Sequence, residues 1–351
     1  MPLTSLSPQH VAASGEAELE PAFPAVDLRV LARRAALPAA LAGLAAALVI
    51  LAGGPLQAFA DALGRVLDAD PRWVVAGAVF ELLSFGGYIA LLWLIGGRAS
   101  PRLGLRASTE VTLGGAAATR LLPTGGVGGA ALTIWAFRRA GLEARDATRT
   151  LLTFLVVLYS IFLGSIAVAG GLLALGFVPG DGPLALTALP AAAGALAIGG
   201  GLAFAFCRPS AVLGGAVRDA ITLVRSGDVR LLGAPAWWAF DAAVLWAMLN
   251  ALGSPPSLAV VVLAYFVGQV ANTIPIPGAV SGGMVGVLLA FGVEADLALA
   301  SVLAYRSVAI WLPAPIGLAA LGGLRRTFAR WGSQDAPLMR IPRENAAAVA
   351  A

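Results

Sequence analysis

Four ionisable residues stand deep inside apolar stretches of this 351-residue chain: Glu81, Arg120, Asp241 and Arg306. Glu81 is the ninth residue of its stretch, about 12 Å in at roughly 1.5 Å of helix per residue. A charge at such depth in a bilayer costs roughly 2.5–3.5 kcal/mol. Four left uncompensated would cost on the order of 10 kcal/mol, comparable with the net stability of a protein. They must pair, meet water or bind something. Two arginines can hold a phosphate, because a guanidinium offers a fork of N–H donors. Glu81 and Asp241 can then be charge partners that hold the arginines while a site is empty, or can carry protons. Two structural ion pairs gluing the molecule together are the competing account.

Two Pro/Gly breaks accompany these charges: "RLLPTGGVGG" at 120–129 and "NTIPIPGAVSGG" at 272–283. Proline removes a backbone donor and clashes with the preceding turn, and glycine permits turns that other residues resist. Together they end one half-helix and start another, with new helices expected from Ala130 and from Met284. Helix N-termini present free N–H groups and a positive dipole end, which suit anions. The candidate substrate-binding residues are therefore Arg120, Pro123, Thr124, Gly125, Gly126, Gly128 and Gly129 at the first break. At the second they are Gln269, Asn272, Pro275, Pro277, Gly278, Gly282 and Gly283, joined by Arg306 from the last span. Gln269 and Asn272 either line the site or satisfy broken backbone. Tyr305 and Trp311, which flank Arg306, read as packing or interfacial residues. Glycines that serve only close helix packing are the bland alternative.

Other chemistry is excluded by composition. The single histidine, His10, lies in a polar N-terminal segment, and the single cysteine, Cys207, permits no internal disulfide. All 23 basic residues are arginine. Without lysine there is no GxxxxGK[ST] nucleotide loop, so ATP-driven export by this chain is excluded. No clustered carboxylates, metal-ligand set or cofactor motif appears, so no enzyme, metal or cofactor is expected. The net charge of +4 says little about nucleic acid, which is not expected as a partner.

The elements that must position these residues are membrane helices. Hydrophobic residues make up 59% and charged residues 12%, about half the charge of a soluble domain. A full span needs about 20 apolar residues, and spans are expected at Ala36–Leu51, which is short unless it extends in either direction, Trp73–Ile95, Ala147–Leu175, Leu184–Phe206, Ala234–Leu252 and Leu297–Gly323. Two further apolar regions, Ser108–Phe137 and Leu258–Phe291, are broken at Pro123–Gly129 and Pro275–Gly283. Residues 1–28 hold no apolar block and read as a disordered cytoplasmic tail without a signal peptide; residues 326–351 read as a second tail.

Arginines cluster before the first span, after the second, after the first broken region, between the fourth and fifth spans and after the last. The opposite loops, "VPGDGP", "SPPS" and "VEAD", are poor in them. Cytoplasmic loops collect positive charge, and this pattern holds only if each broken region enters and leaves on one side. The expected fold is thus an all-α polytopic membrane protein of six full spans plus two re-entrant hairpins opening on opposite faces, with both termini cytoplasmic.

The breaks also repeat. Pro123 matches Pro275, Gly126 matches Gly278, Gly128-Gly129 match Gly282-Gly283 after a short insertion, and Glu143 in "GLEA" matches Glu294 in "GVEA". Each half reads span, amphipathic stretch (Leu56–Leu67; Val212–Leu232), span, hairpin, span, over about 36–176 and 184–324. "FE" at Phe80-Glu81 matches "FD" at Phe240-Asp241. Three spans per half invert the second copy, and inverted repeats with broken helices meeting near the midplane are a transporter design. The charges break this symmetry, since Arg120 falls opposite Asn272 and Arg306 opposite Leu155.

"LPTGGVGG", "GQVANTIPIPGAVSGG" and "YRSVAIWLP" together resemble the flippase-like membrane domain of the lysylphosphatidylglycerol synthase (MprF-type) family, over roughly residues 30–325. The resemblance implies movement of a lipid with a polar head between leaflets of the plasma membrane. The chain stops soon after its last span, so the family's soluble aminoacyl-transferase domain is not expected, and the stand-alone form is. Partners in keeping with this are a phosphate-containing lipid, a second copy of the chain and a separate cytoplasmic lipid-modifying enzyme. A small-solute or ion transporter and a non-transporting membrane scaffold remain the alternatives; a lateral opening would mark the lipid reading, a closed aqueous vestibule the solute reading.

Overall fold

The computed structural model describes residues 64–66, 68–121, 127–180, 182–271 and 278–335, and the expected span Ala36–Leu51, both tail ends and most of Leu56–Leu67 lie outside them. Among the described residues there are eleven α-helices, one 3₁₀ turn and no strand. In chain order they are α1 Pro71–Ala99, α2 Leu105–Leu121, α3 Val127–Arg139, α4 Ala144–Ala174, α5 Leu184–Cys207 and α6 Val212–Arg225. After the 3₁₀ turn Val229–Leu232 come α7 Gly233–Leu252, α8 Leu258–Val270, α9 Ala279–Ala290, α10 Ala295–Trp311 and α11 Pro313–Asp335.

Five stretches are long and apolar enough to cross a membrane: α1, α4, α5, the 3₁₀ turn with α7, and α10 with α11. The expected spans within the described residues fall on these five candidates, with ends shifted by up to nine residues. Between them lie four helices of half length. α2 has 17 residues, α3 13, α8 13 and α9 12. At roughly 1.5 Å per residue these reach about 18–25 Å, short of the ~30 Å apolar core of a bilayer.

Helix limits follow local chemistry. α1 begins where the Asp70 carboxylate accepts the Arg72 N–H, with Pro71 in the first turn, the position where its missing donor costs nothing. α9 is entered through Gly278 at φ 83°, a left-handed conformation that suits glycine. The last span, expected at Leu297–Gly323, lies within the apolar stretch Ala295–Gly332, in which Leu312 separates α10 from α11 because Pro313 has no N–H for the carbonyl one turn back. The tail expected from residue 326 begins as helix, since α11 runs on to Asp335.

The centre of the molecule is the antiparallel pair α1 and α7. Gly77 faces Val244, Ala247 and Met248; Phe80 stacks on Phe240 at 6.0 Å; the Ser84 hydroxyl donates to the Trp237 carbonyl at 2.9 Å; Gly87 meets Gly233 and Trp237. The absent side chains at Gly87 and Gly233 let the two backbones touch, as small residues do in membrane helix packing. Around this pair, α2 packs on α3 and on α11, while α8 packs on α9 and on α4. The packing partners of one half thus recur in the other.

The two ends differ in charge. At one end, Arg98 of α1 reaches Ser226 and Asp228, Ser100 bonds the Ala140 carbonyl after α3, and Arg149 of α4 grips Asp219 of α6 through two 2.7 Å hydrogen bonds. At the other, Asp70 before α1 bonds the Ala251 carbonyl of α7, and Arg65 grips Glu294 at 2.8 Å and Asp296 at 2.6 Å. The outer ends of α2 and α3 lie at the arginine-rich end. Those of α8 and α9 lie at the other, where Val260 and Phe291 pack around Gly180 and Gly182.

Candidate functional site

Asp241 lies midway along α7, only 3% exposed. Its carboxylate accepts the Tyr265 hydroxyl of α8 at 2.5 Å and the Tyr305 hydroxyl of α10 at 3.1 Å. Gln269, one turn beyond Tyr265 on α8, donates through Nε2 to the Tyr305 oxygen at 3.3 Å. A short O–H···O⁻ contact is the mark of a charge-assisted bond, and two such donors are what a buried carboxylate needs. The network draws on three helices because α8 and α10 both pack against α7. The rings form a wall around it: Tyr265 and Tyr305 meet edge to face at 6.1 Å, and Trp238 and Phe266 close the other side.

Glu81 of α1 is 1% exposed. Its register follows from its neighbours. Gly77, one turn before it, faces Val244–Met248, and Ser84, almost one turn after it, faces Trp237. Asp241 lies between those same α7 positions. The two acids that match in the sequence repeat therefore occupy one level of the central pair.

Of the other sequence candidates, Arg306 sits half-buried on α10 and forms no hydrogen bond or ion pair among the described residues. Arg120 falls in the last turn of α2; its side chain, and residues Pro123, Thr124, Gly125, Gly126, Asn272, Pro275 and Pro277, lie outside the described residues. Helix starts are corrected: α3 begins at Val127, not Ala130, and α9 at Ala279, not Met284. Gly128, Gly129, Gly282 and Gly283 are thus inside helices. Gly129 packs on Gly115 of α2, and a Cβ at Gly283 would stand 3.1 Å from the Gly268 Cα of α8. These two glycines hold the half-length helices together, whereas Gly282 and Gly278 face open space.

The sequence reading missed Tyr265 and gave Tyr305 a packing role. The signal for Tyr265 was its position four residues before Gln269, hence on one helix face with it. Also missed was Glu110 of α2, buried at the arginine-rich end, which accepts the Arg106 Nε at 3.1 Å and the Thr327 hydroxyl of α11 at 2.6 Å. A shallow cavity of about 630 Å³ opens at that same end, lined by Arg98, Glu143, Asp146, Arg149 and Asp219 among others. No group of three or more acids, histidines or cysteines that could hold a metal is present among the described residues.

Membrane-crossing helices around a buried polar network define an integral membrane protein. The family model described as the lysylphosphatidylglycerol synthase TM region matches residues 36–317, and the chain belongs to that family. No curated protein matches the chain.

Proposed function

We propose that this protein is a transporter of the plasma membrane that moves an anionic, phosphate-headed lipid or lipid-linked intermediate between leaflets. The observation that carries this reading is the pairing of half-length helices: α2 with α3 and α8 with α9, their outer ends at opposite ends of the molecule. In a bilayer these pairs act as re-entrant hairpins, and the two halves act as an inverted repeat. Such hairpins place backbone breaks at membrane depth, where irregular backbone persists only against protein or water, and transporters bind substrate at such a place. Membership of a family named for the membrane region of a lipid synthase supports a lipid as the cargo.

In this reading the substrate phosphate sits at the hairpin tips near the midplane. Arg120, at the end of α2, and Arg306, which has no protein partner among the described residues, supply its countercharge. The N-terminal turns of α3 and α9 add N–H groups, and Gln269 and Asn272 line the approach. The arginine-rich end faces the cytoplasm, following the distribution of positive charge, so both termini are cytoplasmic. The chain performs no catalysis of its own and takes its lipid from a separate cytoplasmic enzyme.

The test is reconstitution in liposomes with labelled lipids. Anionic phospholipids or polyprenyl phosphates should equilibrate between leaflets faster than in empty liposomes, and Arg120→Gln or Arg306→Gln should abolish this at near-normal expression and melting temperature. Uptake of a water-soluble solute with no lipid movement across a broad panel would replace the lipid by a solute as cargo.

A further inference from the structure

We infer that the last membrane-crossing stretch is a jointed helix: α11 moves with the α2–α3 pair as one unit, and Leu312–Pro313 is the joint that frees it from α10. The use of this joint in transport rests on the transporter reading; the joint itself can be measured without it.

The two parts of that stretch belong to different neighbours. α10 packs on α7 and α9, and its Tyr305 hydroxyl donates to Asp241 of α7 at 3.1 Å. α11 packs on α2 instead, through glycines that leave no room for a side chain. A Cβ at Gly317 would stand 2.6 Å from the Leu113 carbonyl oxygen, and one at Gly114 would stand 2.9 Å from the Leu321 side chain. A Cβ at Gly323 would stand 3.0 Å from the Glu110 carboxylate. The Thr327 hydroxyl donates to that buried carboxylate at 2.6 Å, and Arg330 donates to the Thr327 oxygen at 2.9 Å. Phe328 meets Trp135 of α3 edge to face at 4.5 Å. Parting these helices would open voids and strip a buried carboxylate of a donor, so α2, α3 and α11 hold together as one unit.

The joint lies near the middle of the 38-residue stretch Ala295–Gly332. Leu312 keeps helical dihedrals, φ −67° and ψ −49°, and its N–H still reaches the Val308 carbonyl at 3.2 Å. The chain thus passes from α10 into α11 without a loop, but Pro313 and Pro315 remove two donors within three residues. A helix is weakest in bending where its ladder loses such bonds. Nothing in the repeat requires this. The corresponding span of the first half, α4, runs for 31 residues without a break.

The unit's other links to the molecule are the short segments 100–104 and 140–143, both at the arginine-rich end. Held at that end and jointed at mid-depth, the unit can swing its inner end, where α2 carries Arg120, towards or away from Arg306 on α10. The swing closes and opens the proposed phosphate site while the α1–α7 pair stays fixed. Domain motions of this kind are absorbed by a few residues at element ends.

Double electron–electron resonance tests the joint on the full chain in lipid nanodiscs, in a Cys207→Ser background with spin labels on paired cysteines at exposed positions. Ala319→Cys with Ala131→Cys lies within the unit, Ser307→Cys with Ala239→Cys lies within the rest, and Ala319→Cys with Ala239→Cys spans the joint. The first two pairs should each give one narrow distance, and the third a distribution at least about twice as wide. Pro313→Ala returns an N–H to the helix and should narrow the third distribution to the width of the others. Three equal widths without Pro313→Ala overturn the proposal, whether or not that variant folds. So does a third distribution that Pro313→Ala leaves wide. In liposomes, Pro313→Ala should slow lipid movement. Unchanged movement in a variant whose distances have narrowed removes the joint's role in transport and leaves the transporter reading intact. A wide third distribution in a chain that moves no lipid keeps the joint and sinks the transporter reading instead.

Discussion

At Asp241 a single carboxylate joins three helices through phenol hydroxyls, and the consequence can be measured. Tyr265→Phe removes one donor from a buried anion, which should destabilise the protein by about 1.5–3 kcal/mol, read as a lowered melting temperature in detergent. Tyr159→Phe, on a half-exposed side chain, should be near neutral and serves as the control. Asp241 and Glu81 were legible in the sequence because a charge in an apolar run must be compensated. Tyr265 and Tyr305 were not, because tyrosine is equally at home in a core or at a bilayer interface, and only tertiary packing shows where its hydroxyl points. A second residue-scale effect lies outside the spans. Asp228 accepts hydrogen bonds from the Arg230 side chain and backbone, which with Arg98 nearby hold its carboxyl down to about 2. Its folded value is below the ordinary value of about 4. The stability it contributes is therefore complete above that value and is lost as pH falls through 4 towards 2. Asp228→Asn keeps an oxygen for the cap on Arg230. It should leave the melting temperature at low pH unchanged and lower it slightly at neutral pH, and added salt should shrink the difference because the pair is partly open to solvent.

Elements were easier to find than to bound. Long apolar runs gave the spans within the described residues, since a bilayer fixes both length and composition. The half-helix starts were set three and five residues too late, because the glycine pairs read as part of the break. Glycine permits a turn without requiring one; at Gly129 and Gly283 it serves contact between helices instead. The last span was legible as one apolar run, but the break inside it at Leu312 was not, because hydrophobicity alone does not register the missing donor of Pro313. Adjacent glycines separate the two roles. At Gly283 an added Cβ would press within 3.1 Å of the Gly268 backbone. Gly283→Ala should therefore push α9 off α8 and cost about 1–3 kcal/mol. At Gly282 nothing lies within 4 Å, and Gly282→Ala should be neutral or stabilise by up to about 1 kcal/mol, since alanine has less freedom to lose in a helix. Equal losses at both positions would mean that the helices do not pack as described.

Over the whole molecule, charge and packing agree on one direction. Each half's amphipathic segment is tied to the other half's last span: Asp219 of α6 to Arg149 at the start of α4, and Arg65 to Glu294 and Asp296 at the start of α10. The first tie lies at the arginine-rich end and the second at the opposite end, and the sign of the charges is exchanged between them. That exchange was invisible in the sequence, where Arg65 and Asp219 stand in the two amphipathic stretches with nothing to show their partners. The gathering of arginines at one end was visible as counts over short loops; that this end is the cytoplasmic one is the proposed orientation. It leads to a decisive labelling experiment in a Cys207→Ser background, single cysteines being read by a membrane-impermeant maleimide in intact cells. Leu105→Cys and Arg145→Cys bracket the α2–α3 pair on exposed positions; Ser254→Cys and Glu294→Cys bracket α8–α9 in the same way. If each pair enters and leaves on one side, the first two positions label only after the membrane is opened, and the last two label in intact cells. If the half-length helices instead joined into full crossings, each bracket would report both sides, and the hairpin arrangement, the inverted repeat and the cytoplasmic termini would fall together.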